Sequence, residues 1–150
     1  MDTITTGWAI HKLGGVCTPA NAAYSLQEIE HQLRDSQAKC IFTCLPLLSM
    51  TVEACAKVGI SKKNVYILEL PTEFTGGKKA PKEFKTVDDL IEIGRDASAV
   101  ATLKWKKGQG ATQAAYLCYS SGTSGLPVRI IDRAVDERHF ANSLLDRKVS

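Results

Sequence analysis

Apolar and polar residues alternate along the chain in short segments. The spacing of the apolar residues is that of a helix in some segments and that of a strand in others. Leu26, Ile29 and Leu33 fall three and four residues apart, which puts them on one helical face. Short apolar runs bounded by turn residues are typical of buried strands. The pattern predicts helices at 4–13, from 26 onwards, at 47–58, 86–94 and 134–147, and strands at 16–18, 39–44, 64–68 and 114–118.

Local end signals support several of these elements. Ser25 and Glu28 form a capping box at the start of one helix, and Gly59 is the residue type that ends another. Asp88 and Asp89 follow Thr86, so they lie at the positive end of a helix dipole. Strands that alternate with helices indicate an α/β fold, with a mostly parallel sheet and helices on both faces. The segments 71–85 and 97–113 are expected to be loops.

The densest candidate chemistry follows the predicted strand 114–118. Four hydroxyl side chains and two glycines occupy six consecutive residues. Glycines permit backbone angles that turn successive N–H groups into one concavity, and hydroxyls add adaptable donors. We therefore predict a phosphate-binding loop, although a flexible surface loop is the alternative reading of such a run. The predicted phosphate ligands are Ser120, Ser121, Gly122, Thr123, Ser124 and Gly125.

Residues 119–127 resemble the nucleotide-binding signature of the adenylate-forming (AMP-binding) superfamily, in which an aromatic residue precedes a Ser/Thr/Gly run and a proline. Upstream pieces look like the coumarate–CoA ligase and fungal acyl-CoA synthetase branch of that superfamily. The likeness covers roughly residues 5–127. The pieces that carry it are 8–15, 19–21, Tyr24, Glu28, 31–33, 35–36 and 38–39.

This resemblance implies ATP-dependent activation of a carboxylic acid to an acyl-adenylate, followed by transfer to coenzyme A. It also implies that the loop Ser120–Gly125 holds the β- and γ-phosphates of ATP, with Mg2+ as a further cofactor. The chain looks like part of a large N-terminal domain. We expect 1–127 to be a partial AMP-binding domain that ends in the phosphate loop, and 128–150 to be a divergent C-terminal tail.

The chain departs from the family pattern directly after Pro127. The family has a lysine there that is associated with ATP phosphate, whereas this chain has Val128, and the nearest cation is Arg129. The likeness stops at this point, which suggests a truncated product, an altered splice, a reading-frame shift or a decayed copy. We expect weak activity or none from the chain alone. The alternative is a non-catalytic α/β remnant or interaction module, which could associate with a full-length relative.

Composition adds few constraints. The formal net charge is +3 and the apolar fraction 44%, which are ordinary values for a globular domain. Lysines cluster at 76–82 and 104–108, and solvated loops explain them better than a nucleic-acid surface does. No apolar stretch is long enough to span a membrane, and neither a secretory leader nor a C-terminal Ser-Lys-Leu peroxisomal address is visible. We expect a cytoplasmic protein.

The remaining candidate residues favour structural roles. The five cysteines lack paired spacing, so we expect free thiols in a reducing compartment, with Cys40, Cys44 and Cys118 buried in apolar runs and no metal site. His11 is expected at the edge of a helix that packs on the sheet. Glu28, Glu30 and Asp35 are expected to form a solvated helix face.

Overall fold

The computed structural model describes residues 3–101, 103–120 and 126–133, which adopt an α/β fold. Its α-helices are α1 (Thr3–Lys12), α2 (Leu26–Asp35), α3 (Leu48–Val58), α4 (Thr72–Thr75) and α5 (Val87–Gly94). Its strands are β1 (Ile41–Thr43), β2 (Val65–Ile67), β3 (Lys85–Thr86), β4 (Ala114–Ser120) and β5 (Val128–Arg133). Short 3-10 helices lie at Leu45–Leu47, Lys62–Asn64 and Gln109–Ala111.

The strands β1, β2 and β3 form a parallel sheet in that order. Ile41 pairs with Val65, and Ile67 pairs with Thr86. Parallel neighbours need a crossover connection, and α3 supplies it between β1 and β2. The prediction of an α/β fold with a parallel sheet is confirmed.

The hydrophobic core lies where α2 and α3 pack together against β2. Ala54, Cys55, Val65 and Ile67 are almost completely buried. The hydroxyls of Thr43 and Thr51 are also buried, and they hydrogen-bond each other at 3.0 Å, with Thr51 donating to the Leu47 carbonyl. Pairing of this kind removes the cost of burying polar groups. Since Thr43 lies in β1 and Thr51 in α3, this pair joins α3 to the parallel sheet, and α2 packs on α3.

The helix start signals read from the sequence are confirmed. The backbone N–H of Ser25 donates to Glu28 Oε2 at 2.7 Å, and the Glu28 N–H donates back to Ser25 Oγ at 3.4 Å. Thr86 and Asp89 make the same reciprocal pair at the start of α5. Gly59 ends α3 with a φ of 79°, a backbone angle that side chains rarely permit.

The strands β4 and β5 form an antiparallel hairpin, in which Ser120 lies opposite Val128. The chain at Cys17 runs parallel to β4 on its other edge: the Cys17 N–H donates to the Ala115 carbonyl at 2.9 Å, and the Leu117 N–H donates to the Cys17 carbonyl at 2.8 Å. The strand predicted at 16–18 is thus reduced to one bridge pair, but it still borders the strand that leads to the loop.

Some expectations differ from the structure. Cys40 is exposed, because it lies just before β1 rather than inside it, and Cys44 and Cys118 are only half-buried, whereas Cys55 is the buried thiol. The loop predicted at 71–85 contains α4.

None of the described residues of α1 or α5 is buried. In the part of the chain that the structure describes, no helix is long and apolar enough to cross a membrane. The helix predicted at 134–147 lies outside the described residues.

Candidate phosphate-binding hairpin

The predicted phosphate loop is the connection between β4 and β5. Ser120 is the last residue of β4 and is exposed, and β5 begins at Val128. The predicted ligands Ser121, Gly122, Thr123, Ser124 and Gly125 lie outside the described residues. The structure therefore describes the two ends of the loop. The contacts of these ends show which residues hold them.

Both ends of the loop are fixed to the C-terminal end of α2 through Asp35. The Tyr119 hydroxyl donates to Asp35 Oδ2 at 2.5 Å. Arg129 Nε lies 3.6 Å from the same oxygen, and Arg129 Nη1 donates to the Asp35 backbone carbonyl at 3.3 Å. Since Tyr119 and Arg129 are directly opposite across the hairpin, one carboxylate joins both strands. We call Asp35, Tyr119 and Arg129 the Asp35 cluster.

The hydroxyl of Tyr119 is held in its protonated form. Burial raises its pKa well above the usual range, and the hydrogen bond to Asp35 and the charge of Asp35 raise it further, against the opposing effect of Arg129. The Tyr119 hydroxyl donates this hydrogen bond, and the carboxylate of Asp35 accepts it. The bond between Tyr119 and Asp35 is therefore a charge-assisted one, which is the stronger kind of hydrogen bond.

His31 holds the far end of the loop. Its Nε2 lies 3.1 Å from the Pro127 carbonyl oxygen, and because a carbonyl only accepts, this nitrogen carries the proton. The imidazole also meets the Tyr119 ring edge-on, with 6.4 Å between the ring centroids. Pro127 is buried. The residue that closes the loop is thus packed in place rather than free in solvent.

The strand that leads into the loop, β4, is hydrogen-bonded to the segment that precedes α2. Thr18 Oγ1 donates to the Leu117 carbonyl at 2.8 Å and accepts from Gln32 Nε2 at 2.7 Å. The Tyr24 hydroxyl donates to the Tyr119 carbonyl at 3.4 Å. These bonds connect β4 to the core through Gln32, which is itself only 2% exposed.

The positive charge nearest the loop in β5 is already balanced. The guanidinium of Arg129, the nearest cation to the position of the family's lysine, is paired with Asp35. Val128, where the family resemblance leads us to expect a lysine, is 62% exposed and offers no charge. The predicted contacts to phosphate are therefore the hydroxyls and backbone amides of the loop.

The described residues do not form a cage for a metal ion. Among them, no group of three or more His, Cys, Asp or Glu side chains is arranged to hold one. Mg2+ commonly keeps several waters and is bound through substrate phosphates and few protein ligands. An ion that arrives with ATP is compatible with this region, but no described side chain is assigned to it.

Comparison with known proteins identifies the family. The family described as AMP-binding enzyme matches residues 1–128. The chain belongs to the AMP-binding enzyme family. Within that family it is 33% identical over 125 residues to the acyl-CoA ligase easD of Emericella nidulans and 39% identical over 117 residues to the acyl-CoA ligase AKT1 of Alternaria alternata.

The chain is short beside these AMP-binding relatives. The two alignments cover 83% and 78% of the chain but only 22% and 20% of the respective relatives. Among solved structures, a long-chain-fatty-acid-CoA ligase from Archaeoglobus fulgidus matches with a TM-score of 0.67 at 22% identity, covering 95% of this chain and 25% of that one. This likeness shows the fold, and the chain spans about a fifth of the length of its curated relatives.

Sequence reasoning missed the residues that hold the loop. The expectation that Asp35 is simply part of a solvated helix face is wrong: its side chain is 36% exposed, but its carboxylate is bonded to Tyr119 and paired with Arg129. His31, which holds Pro127, stands out in the sequence only as part of the family resemblance. Their partners lie 84 to 96 positions later in the chain, so no local spacing could have revealed them. His11 lies in α1, and its ring centroid is 4.8 Å from that of Tyr116 in β4, in agreement with the expected contact between this helix and a strand.

Proposed function

We propose that this chain supplies the phosphate-binding part of an ATP-dependent acyl-CoA ligase. In that reaction a carboxylate attacks the α-phosphate of ATP, which releases pyrophosphate and leaves an acyl-adenylate. The thiol of coenzyme A then attacks the acyl carbon and releases AMP. The substrates are thus ATP, a small carboxylic acid and coenzyme A. Family membership and the acyl-CoA ligases among the relatives support this proposal.

One observation carries the assignment of the loop itself. The Ser/Thr/Gly run joins two paired strands, and the residues on both sides of it, Tyr119 and Pro127, are bonded to the same helix. A loop with fixed ends loses less conformational entropy when it orders around a ligand. In this proposal Ser120 to Gly125 donate hydroxyl and amide hydrogens to the β- and γ-phosphates, and the glycines allow close approach.

The chain's own chemical role is to position the leaving pyrophosphate and to stabilise its charge. Donors that are already arranged around an anion cost no reorganisation when the charge develops. Mg2+, when bound with ATP, would supply additional charge neutralisation. Ser120 is the described residue whose exposed hydroxyl is available for this task.

The division of the chain is part of the proposal. Residues 1–127 form the partial AMP-binding domain, and 128–150 form the divergent tail, whose first residues pair with β4 as β5. Contacts to adenine, ribose and the acyl group would come from regions that relatives carry beyond the matched part. We expect the chain alone to be weakly active or inactive, to reside in the cytoplasm, and to function, if it does, beside a full-length relative.

Pyrophosphate exchange tests this part of the account. The purified chain is incubated with Mg2+, ATP, labelled pyrophosphate and a panel of carboxylic acids, and formation of labelled ATP is measured. We expect no exchange above background from the chain alone. Robust exchange that is lost in Thr123→Ala, but kept in the control Ser98→Ala, would overturn the expectation of an inactive chain while supporting the loop assignment. Exchange that survives Thr123→Ala would overturn the loop assignment.

A second candidate function is a non-catalytic module that associates with other protein. The observation in its favour is the amount of apolar surface left uncovered in the described residues: Trp8 is 71% exposed, Ile93 59% and Ile130 55%. Large exposed apolar groups commonly mark interaction sites or aggregation-prone surfaces. Size-exclusion chromatography with amide exchange separates the cases, because a compact, protected monomer supports a module and aggregation supports a disrupted enzyme.

A further inference from the structure

We infer that Asp35 is a positioning residue, which sets the separation and orientation of the two ends of the phosphate loop. This inference rests on the proposed function in one respect only, which is that the ligand of the loop is a polyphosphate. The contacts of Asp35 with the loop's flanking residues stand independently of it.

The first step is the position of the contacts in the chain. Tyr119 immediately precedes the first predicted ligand, Ser120, and Arg129 follows the loop on the opposite strand. Both reach Oδ2 of Asp35, at 2.5 Å and 3.6 Å respectively. One oxygen atom therefore connects the residues that enter and leave the loop. A side chain that served helix solubility alone would not contact both strands.

The second step is that α2 adds another contact one turn earlier. His31 and Asp35 are four residues apart and so lie on the same face of the helix. His31 holds the Pro127 carbonyl at 3.1 Å and packs edge-on against the Tyr119 ring. The last turn of α2 thus touches the loop's flanks from both sides, and the hydrophobic core holds α2 itself through Ile29 and Leu33.

The third step is electrostatic. A carboxylate near a phosphate site repels its ligand unless its charge is balanced. Arg129 balances Asp35, and the Tyr119 hydroxyl donates to the same oxygen. Removing Arg129 alone should therefore weaken anion binding, because the negative charge of Asp35 is then left without its partner. Removing both charges, as in Asp35→Asn with Arg129→Gln, should recover part of the loss, because the unpaired negative charge is gone while the Asn oxygen still accepts from Tyr119.

The test combines two readouts on the full chain. Amide exchange of residues 119–129 is followed by mass spectrometry, and binding of inorganic triphosphate is followed by calorimetry. We expect Asp35→Ala to accelerate amide exchange and to weaken triphosphate binding, each about ten-fold. Asp35→Asn should keep most of the protection against exchange and most of the triphosphate affinity. The matched control is Glu30→Ala, which removes an ion pair with Arg34 within the same helix. Equal exchange in Asp35→Ala and Glu30→Ala would overturn the inference.

Two further variants keep the outcome decisive. If Asp35→Ala does not fold, Tyr119→Phe removes one hydroxyl only, and unchanged exchange in that variant would contradict the inference. Binding by Arg129→Gln that is not weaker than binding by the double variant would contradict the electrostatic step. If the unmodified chain binds no triphosphate, the proposed function fails, but faster exchange in Asp35→Ala would still support the positioning role.

Discussion

Thr18 donates its hydroxyl to the backbone carbonyl of Leu117, 2.8 Å away and 99 residues later in the chain. The same hydroxyl accepts from Gln32 Nε2. This single oxygen thus joins the segment before α2, the buried face of α2 and the strand that leads into the phosphate loop. The strand that precedes the predicted phosphate loop is thus held by contacts between residues far apart in sequence.

Replacing this hydroxyl tests its contribution to stability. Thr18→Val keeps the shape of the side chain but leaves the Leu117 carbonyl without this donor and Gln32 Nε2 with only the Pro19 carbonyl. We expect the free energy of unfolding to fall by about 1–2 kcal/mol, the usual cost of an unsatisfied, partly buried polar group. Urea denaturation measures it. Thr5→Val, on the exposed face of α1, is the control and should change stability by less than about 0.5 kcal/mol.

The capping box of α2 predicts a pH dependence. The hydrogen bonds from the Ser25 backbone and hydroxyl lower the pKa of the Glu28 carboxyl. A lowered pKa in the folded state means that the ionised group stabilises the fold above its ordinary pKa, and that this contribution is lost as pH falls through the lowered value. The wild type should therefore be more stable than Glu28→Gln at pH 7, and the difference should vanish in acid.

A double-mutant cycle provides the control for that experiment. In a Ser25→Ala background the hydroxyl that bonds Glu28 Oε2 at 2.7 Å is gone, so Glu28→Gln should have a smaller, less pH-dependent effect. Denaturation curves at pH 7 and in steps down to pH 3 would measure this. An identical pH profile for Glu28→Gln in both backgrounds would contradict the assignment.

The expectation that Val128 stands where the family has a lysine makes a testable gain-of-function prediction. Val128 lies opposite Ser120 and its side chain is exposed, so a lysine fits there without repacking. Val128→Lys should tighten triphosphate binding about three-fold or more, since it places an unpaired cation beside the loop. Ile130→Lys is the matched control: it lies two residues along β5, on the same face but farther from the loop. Equal gains from the two variants would indicate non-specific attraction instead.

The sequence revealed those parts of the fold that depend on neighbouring residues. The capping boxes at Ser25 and Thr86 and the glycine at 59 act within one helical turn, so their spacing is visible in the chain. Leu26, Ile29 and Leu33 predicted the helical face correctly, although Gln32 is buried on it as well. Its burial depends on Thr18 and Pro19, which accept its amide hydrogens.

Only part of the candidate phosphate site could be predicted from the sequence, again because only contacts between neighbouring residues leave a pattern there. The hydroxyl-rich run that begins at the end of β4 can be recognised from its composition. Asp35, in contrast, looks in the sequence like any acidic residue at the end of a helix. Its function follows from Tyr119 and Arg129 meeting across a hairpin, and the pairing of β5 with β4 was not predicted. The pattern after Pro127 predicted no strand, so it did not indicate a partner for β4.

Calorimetric titration of ATP with Mg2+ into the purified chain tests the central claim most directly. We predict measurable binding that weakens at least ten-fold in Thr123→Ala, because a hydroxyl donor to the phosphates is lost. Ser98→Ala, which removes an exposed hydroxyl outside the hairpin, should bind as the wild type does. Absence of binding by the wild type, or equal binding by the wild type and Thr123→Ala, would contradict the assignment of this hairpin as a phosphate site.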